Sequence, residues 1–281
     1  WSPSDASSSK VCNVQYRVNG HTQWLDGFRI EYNQRNSSKQ GGLYRGSIVG
    51  LAPGTTYEIK LSLSPSGSTT TFTASTWSET FPLGTVTKVN SQSTTLTINQ
   101  SGTSNSYRVY EPLNESAEID VNNNSDYCIE INASYVIIRG LTLKNARRHG
   151  ILLGNNANNI IIEDCEITGW GRIAPDGWGI MYDSAIYSSS SNLEKIIIQR
   201  NTIHTPRSDA NNWNEPRPYY NNDPHPQGPQ AITFFDGKGN HVIRYNTFYS
   251  DYNRMFNDIV GGGTNGTWDG APNRDSDIYG N

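Results

Sequence analysis

The chain has 281 residues, room for two domains, and its formal net charge of -4 without a basic stripe argues against nucleic acid as a partner. No apolar run is long enough to span a bilayer. With glycine counted among the apolar residues the composition lies near the globular range, which excludes a disordered chain despite the abundance of Asn, Ser and Thr. The three cysteines, Cys12, Cys128 and Cys165, cannot all pair and read as buried free thiols. Six Asn-X-Ser/Thr sequons, at Asn36, Asn99, Asn114, Asn123, Asn132 and Asn265, are about as many as chance supplies in so Asn-, Ser- and Thr-rich a chain, and they do not establish glycosylation.

Along residues 11–77 short runs alternate apolar and polar side chains, as in Val14-Gln15-Tyr16-Arg17-Val18 and Thr56-Tyr57-Glu58-Ile59-Lys60-Leu61, with turns at Asn19-Gly20 and Pro53-Gly54. This is the alternation of antiparallel strands with one face in a core. The segment Gly50-Leu51-Ala52-Pro53-Gly54-Thr55-Thr56-Tyr57 resembles the Leu-x-Pro-Gly-Thr-x-Tyr corner of fibronectin type III domains. Val14–Gly20, followed by Trp24, is similar to that family's third strand and the turn beyond it. The resemblance implies a β-sandwich over residues 1–80, with Tyr57 buried and its hydroxyl bonded to backbone. It also implies that Trp1-Ser2-Pro3 ends the second strand, so that the sandwich lacks its first strands.

Phe81-Pro82-Leu83-Gly84 reads as a short linker, and Thr94–Ile98 and Tyr107–Tyr110 as the first strands of a second domain. One pattern then recurs: Val136-Ile137-Ile138-Arg139-Gly140-Leu141, Ile160-Ile161-Ile162-Glu163-Asp164-Cys165, Ile196-Ile197-Ile198-Gln199-Arg200-Asn201 and His241-Val242-Ile243-Arg244-Tyr245-Asn246. A unit starting 24 residues after its predecessor holds a few short strands and cannot bury a core alone, so it must stack on its neighbours. Ile137, Ile161, Ile197 and Val242 should stack. Asn201, Asn246 and Asn281 should form a ladder of turn asparagines that bond one another and tolerate left-handed backbone. Gly150-Ile151-Leu152-Leu153, Gly179-Ile180-Met181-Tyr182 and Gln230-Ala231-Ile232-Thr233-Phe234 supply a further strand per coil. Over residues 85–281 the pattern resembles the right-handed parallel β-helix of pectate-lyase-like and other polysaccharide-processing proteins. Asn281 falls within a coil, so the helix reads as truncated, and its uncovered ends suit self-assembly.

The interval between copies grows from 24 to 36 to 45 residues, so the extra chain must leave the coil as inserts, where function concentrates. They span residues 168–178, 204–230 and 250–276. Trp170, Trp178, Trp213, Tyr219 and Tyr220 on an Ile/Asn scaffold suit a carbohydrate groove, since sugars stack their apolar faces on aromatic rings. The alternative is that these rings form small cores beneath the inserts.

Glycan hydrolysis needs two carboxylates on one face. Asp183 and Asp236 end Gly-Ile-type strands of successive coils, with Asp258 at the corresponding strand of the next, and neighbouring rungs about 4.8 Å apart bring such groups within range. The plainer reading makes them turn residues. Elimination needs a base against a uronic acid, and Lys238, Arg244, Arg254 and His225 are available, with Ca²⁺ as a cofactor if the chain is a lyase. No metal motif is visible. The expectation is a secreted or surface-located, extracellular, polysaccharide-active enzyme, a glycoside hydrolase or polysaccharide lyase with a fibronectin-type module. The alternative is a non-catalytic fibre, adhesin or scaffold.

Overall fold

The computed structural model describes residues 1–33, 43–172, 182–207, 229–250, 259–261 and 276–281. Two compact units, Trp1–Phe81 and Pro82–Asn281, divide the chain. Both are built of β-strands, and no helix among the described residues is long and apolar enough to cross a membrane.

In the first unit, β1 (Val11–Val18), β2 (Leu25–Asp26), β3 (Ile30–Asn33), β4 (Leu43–Tyr44), β5 (Thr56–Ser64) and β6 (Thr69–Ser75) form an antiparallel sheet of order β4-β3-β1-β5-β6, with β2 on β1. Alternate residues Cys12, Val14, Leu61 and Leu63 point to one face and pack with Tyr44 and Trp1. Tyr57 is buried, and its hydroxyl accepts the Ala52 N–H at 2.9 Å. Among the described residues this unit has one sheet and no facing layer.

The second unit is a parallel β-helix of three sheets. Sheet 1 runs through β7 (Leu83–Val89), β9 (Tyr107–Pro112), β12 (Val136–Arg139), β15 (Asn158–Glu163), β18 (Glu194–Gln199), β21 (Val242–Arg244) and β24 (Asp277–Tyr279). Sheet 2 holds β10 (Ala117–Asp120), β13 (Leu141–Lys144), β16 (Glu166–Thr168), β19 (Thr202–His204) and β22 (Thr247–Tyr249). Sheet 3 holds β8 (Leu96–Ile98), β11 (Tyr127–Ile131), β14 (His149–Leu153), β17 (Ser184–Ser188), β20 (Gln230–Phe234) and β23 (Val260–Gly261). The solenoid therefore begins at Leu83, inside the segment that reads as a linker.

Register follows the aliphatic triplets: Ile137 pairs with Ile161, Ile161 with Ile197 and Ile197 with Val242. The flanking Val136/Ile138, Ile160/Ile162 and Ile196/Ile198 face the interior, where they join Leu143, Ile167, Ile203, Ile151, Ile186 and Ile232 in one continuous core. Each such side chain withdrawn from water stabilises by about 1.5–3 kcal/mol, and its period along the axis fixes the stacking.

The asparagine ladder is present. Asn246 Oδ1 accepts the Asn201 N–H at 3.0 Å, Asn281 Oδ1 accepts the Asn246 N–H at 3.0 Å, and Asn201 Oδ1 accepts the Cys165 N–H at 3.0 Å. The left-handed backbone belongs to the residue before each asparagine: Arg200, Tyr245 and Gly280 have φ of 55°, 58° and 67°, as does Asp164 before Cys165, at 55°. The amides thus bond neighbouring coils while another residue makes the turn. The remaining thiols, Cys128 and Cys165, are buried and unpaired, and burial pushes both up to about 12.

Candidate functional site

Between β13 and β14 the chain turns from sheet 2 to sheet 3 in four residues, Asn145–Arg148. Residues 173–181, 208–228 and 251–258, which lie outside the described set, come in the sequence between β16 and β17, β19 and β20, and β22 and β23, the later strand pairs that lead from sheet 2 to sheet 3. Residues 262–275 fall between β23 and β24, so the third insert is two, interrupted by a strand at Val260–Gly261.

The described residues at the corner form an ordered polar site. Its first row is Tyr127, His149, Ser184 and Gln230, aligned by the pairs Tyr127↔His149, Ile151↔Ile186 and Ser184↔Gln230. The residues just before them, Asp126, Arg148 and Asp183, form a second row. Asp183 is fully buried, and its carboxylate accepts three N–H bonds from Arg172: the backbone N–H and Nε at Oδ2, and Nη2 at Oδ1, each at 2.9 Å. Such a bidentate pair fixes the geometry of both partners. Arg148 Nε lies 3.7 Å from Asp183 Oδ1, beyond a hydrogen bond, and is buried without a hydrogen-bond partner. The Arg148 side chain is otherwise 37% exposed. Arg147 pairs with Asp126 at 2.6 Å. Three guanidinium groups therefore face two carboxylates.

Three rings stack across the rungs. Tyr127 and His149 are 5.7 Å apart with planes 5° from parallel, and His149 and Tyr187 are 4.2 Å apart at 4°. His149 Nδ1 accepts the Ser184 N–H at 3.2 Å. Burial, reinforced by Arg148 and Arg172, holds the imidazole well below its ordinary value, so it is neutral at pH 7. Burial also raises the Tyr127 and Tyr187 phenols, while Arg148 opposes the shift at both. Beneath them Ser184 Oγ donates to Thr233 Oγ1 at 2.7 Å, and Thr233 donates to Gln230 Oε1 at 2.5 Å.

Trp170 forms the floor of the corner and does not line a cleft: it is fully buried in the core, and its indole N–H donates to Gln230 O at 2.8 Å. Arg207 ties the next passage to earlier coils through Asn123 Oδ1 and, at 3.1 Å, Gly169 O.

Asp183 and Asp236 are not brought together. Asp183 precedes β17, whereas Asp236 follows β20, its Oδ1 accepting the Gly237 N–H at 2.8 Å. A five-residue strand, more than roughly 13 Å long, separates the two positions, beyond the range either glycosidase geometry uses. The cause is a register choice. The strand that pairs with β14 and β20 is Ser184–Ser188, whose Ala185-Ile186 aligns with Ala231-Ile232; Gly179, Ile180 and Met181 lie outside the described residues. Lys238 is exposed and lies away from the corner, its N–H donating to Leu193 O at 2.8 Å. Arg244 is buried on sheet 1, where Nε and Nη2 donate to Gln199 Oε1 at 2.9 and 2.7 Å. Asp258, Arg254, His225, Trp178, Trp213, Tyr219 and Tyr220 lie outside the described residues. Among the described residues no three His, Cys, Asp or Glu side chains converge as metal ligands.

Sequence reasoning did not find Tyr127, Arg148, His149 and Tyr187. Aligning Ala185-Ile186 with Gly150-Ile151 was the available signal, because it places His149 beside Ser184. Compared with family models, with curated proteins and with solved structures, the chain matches none of them.

Proposed function

We propose that the second unit binds an acidic polysaccharide at the corner between sheets 2 and 3 and cleaves it by β-elimination. The observation that carries this reading is Arg148: a partly exposed guanidinium with an unmet Nε–H, beside a neutral imidazole and two phenols. A buried donor without a partner is costly, and a ligand carboxylate would satisfy it with a charge-assisted bond. In elimination a solvent-derived base, water or hydroxide, takes the proton next to the uronate carboxylate, the C–O bond to the leaving sugar breaks, and the leaving oxygen takes a proton. Arg148 would bind the carboxylate and stabilise the charge that develops there. Tyr187, protonated at neutral pH, is suited to give the leaving oxygen its proton. Elimination is preferred to hydrolysis because Asp183 is locked to Arg172 and lies a strand's length from Asp236.

On this reading the protein is extracellular. Its first unit serves as a fibronectin type III-like module, a likeness supported by the buried Tyr57 and its bond to the Ala52 N–H. The test is ultraviolet detection of unsaturated uronate when the protein is incubated with polygalacturonate, alginate or chondroitin, with and without Ca²⁺. Product with wild type and none with Arg148→Gln is expected. Equal turnover by the variant, or action on neutral glycans alone, would sink the reading. The burial of Trp170, with the ring stack keeping its faces to itself, favours a second reading, a non-catalytic surface or fibre protein.

A further inference from the structure

We infer that His149 is a positioning residue for Tyr187: its imidazole, fixed as the Nε2–H tautomer by the Ser184 N–H and wedged between the rings of Tyr127 and Tyr187, holds the Tyr187 phenol within electrostatic reach of Arg148. For its consequence in turnover the inference rests on the elimination reading; for its geometry it does not.

Sheet register alone does not produce this contact. On β14 and β17, Tyr187 pairs with Leu152, three residues beyond His149. Its ring nevertheless lies flat on the imidazole at 4.2 Å and 4°. The ring must therefore reach back along the strand, and the imidazole is the surface it reaches for. The imidazole is in turn oriented by backbone, because its Nδ1 lone pair accepts the Ser184 N–H and leaves the proton on Nε2.

His241 shows which part of this arrangement is structural and which is particular. Its Nδ1 also accepts a backbone N–H, from Ile196 of the preceding coil at 3.2 Å, where His149 takes one from Ser184 of the next. Its ring meets Phe234 at 52°, a tilted contact. A backbone N–H on Nδ1 thus recurs in two coils, and His149 adds to it two flat contacts with phenol rings.

The charged and titratable groups around His149 come from three coils. Asp126 and Tyr127 belong to one, Arg148 to its own, and Arg172, Tyr182, Asp183 and Tyr187 to the next. With Arg148 and Arg172 both opposing a further positive charge, the imidazole stays neutral and keeps its acceptor. A protonated ring would lose the Ser184 bond and, with it, the orientation of Tyr187.

Two variants of the full chain separate latch from wedge. His149→Asn keeps an acceptor near the Nδ1 position and removes the ring; His149→Phe keeps a ring and removes the acceptor. Each is made with and without Tyr187→Phe, so that the difference in ultraviolet tyrosinate titration isolates Tyr187. In His149→Asn the opening of the Tyr187 ring to water, the larger influence on its phenol, should outweigh its release from Arg148 and move the Tyr187 titration down toward that of free tyrosine, and kcat on an acidic polymer should fall about tenfold or more with KM within about twofold. An unchanged Tyr187 titration in both variants would overturn the inference. Should wild type cleave no acidic polymer, the elimination reading fails while the titration still decides the role of His149. If the variants do not fold, ¹⁵N-histidine spectra of wild type, assigned by comparison with His241→Gln, decide: the His149 imidazole must keep a bare Nδ1 and protonated Nε2 from about pH 7 to about pH 5, and all five histidines titrating near the ordinary value would refute the claim.

Discussion

Two rows of charge run along the solenoid, and they differ in whether they are closed. On the outer face of sheet 1, Lys88 Nζ meets Glu111 Oε1 at 2.6 Å and Arg139 Nη2 meets Glu111 Oε2 at 2.6 Å. Further along, Glu163 accepts Gln199 Nε2 at 2.6 Å, and Gln199 Oε1 accepts two bonds from Arg244, whose Nη1 reaches the Tyr279 hydroxyl at 3.0 Å. Rungs about 4.8 Å apart bring successive side chains to pairing distance, and nearly every one here finds a complementary neighbour. At the corner between sheets 2 and 3, Asp126, Arg148 and Asp183 repeat the alternation of sign, yet Arg148 Nε bonds to neither. A closed row holds register. An open one, partly exposed, holds a place for something else.

The sharpest way to break this contrast is to open the closed row. Gln199→Leu removes the neutral relay between Glu163 and Arg244 and strips a fully buried guanidinium of its Nε and Nη2 acceptor. A loss of about 2–3 kcal/mol is expected in urea unfolding, because taking a buried acceptor away from two donors of a charged group costs their desolvation. A change under about 0.5 kcal/mol would show that the row does not stabilise the fold.

Closing the open row should do the reverse. Arg148→Gln is expected to leave stability within about 0.5 kcal/mol of wild type. Binding of an acidic oligosaccharide, measured by calorimetry at low salt, should weaken about tenfold to a hundredfold, the worth of one charge-assisted bond. If stability falls and binding does not, Arg148 belongs with the ladder after all.

How these two regions read in the sequence is a consequence of their physics. Sheet 1 announces itself because a triplet such as Ile160-Ile161-Ile162 recurs at the same place in every coil, and only one register buries all copies. The corner does not, because its residues are one per coil and of different kinds: Tyr127, then Arg148 and His149, then Asp183 and Tyr187. No local pattern links them until the strands of sheet 3 are aligned. That alignment turned on two Ile-containing segments six residues apart, Gly179-Ile180 and Ala185-Ile186, with equal claim by hydrophobicity. Choosing the first puts Asp183 after its strand, choosing the second puts it before, and one such slip carries a carboxylate from one end of the sheet to the other.

The two regions should also part company in acid. The His149 imidazole titrates below its ordinary 6.5 in the folded protein, so the unfolded chain takes up its proton first. The corner's contribution is then full above about pH 6.5 and is lost as pH falls below it, by up to about 1.4 kcal/mol per pH unit. Glu111 is held below 4.5 by Lys88 and Arg139, so its contribution is full above 4.5 and is lost only in more acidic solution. Melting temperatures should therefore begin to fall between about pH 6.5 and 4.5 in wild type, and His149→Phe should flatten that segment alone. A melting temperature flat down to about pH 4.5 would contradict the buried neutral imidazole.

The smallest effect concerns turns that belong to neither row, those leading from sheet 3 into sheet 1. Four successive coils enter sheet 1 through one left-handed residue, Tyr135, Asn159, Lys195 and Asn240, with φ of 58°, 54°, 57° and 63°. Asparagine adopts this conformation readily because its short carboxamide bonds nearby backbone, whereas a lysine bears the steric cost of its Cβ against the carbonyl, about 1–2 kcal/mol. Lys195 is exposed, and its contact with Glu194, at 3.6 Å and open to water, is worth little. Lys195→Asn should accordingly stabilise the second unit by about 0.5–1 kcal/mol, a rise of a few degrees at most in a chain of this size. Because the substitution touches neither row, it should leave acidic-glycan binding and the acid transition where they are. A loss of stability would mean that the Lys195 side chain supports its coil in a way that the left-handed backbone and the Glu194 contact do not account for.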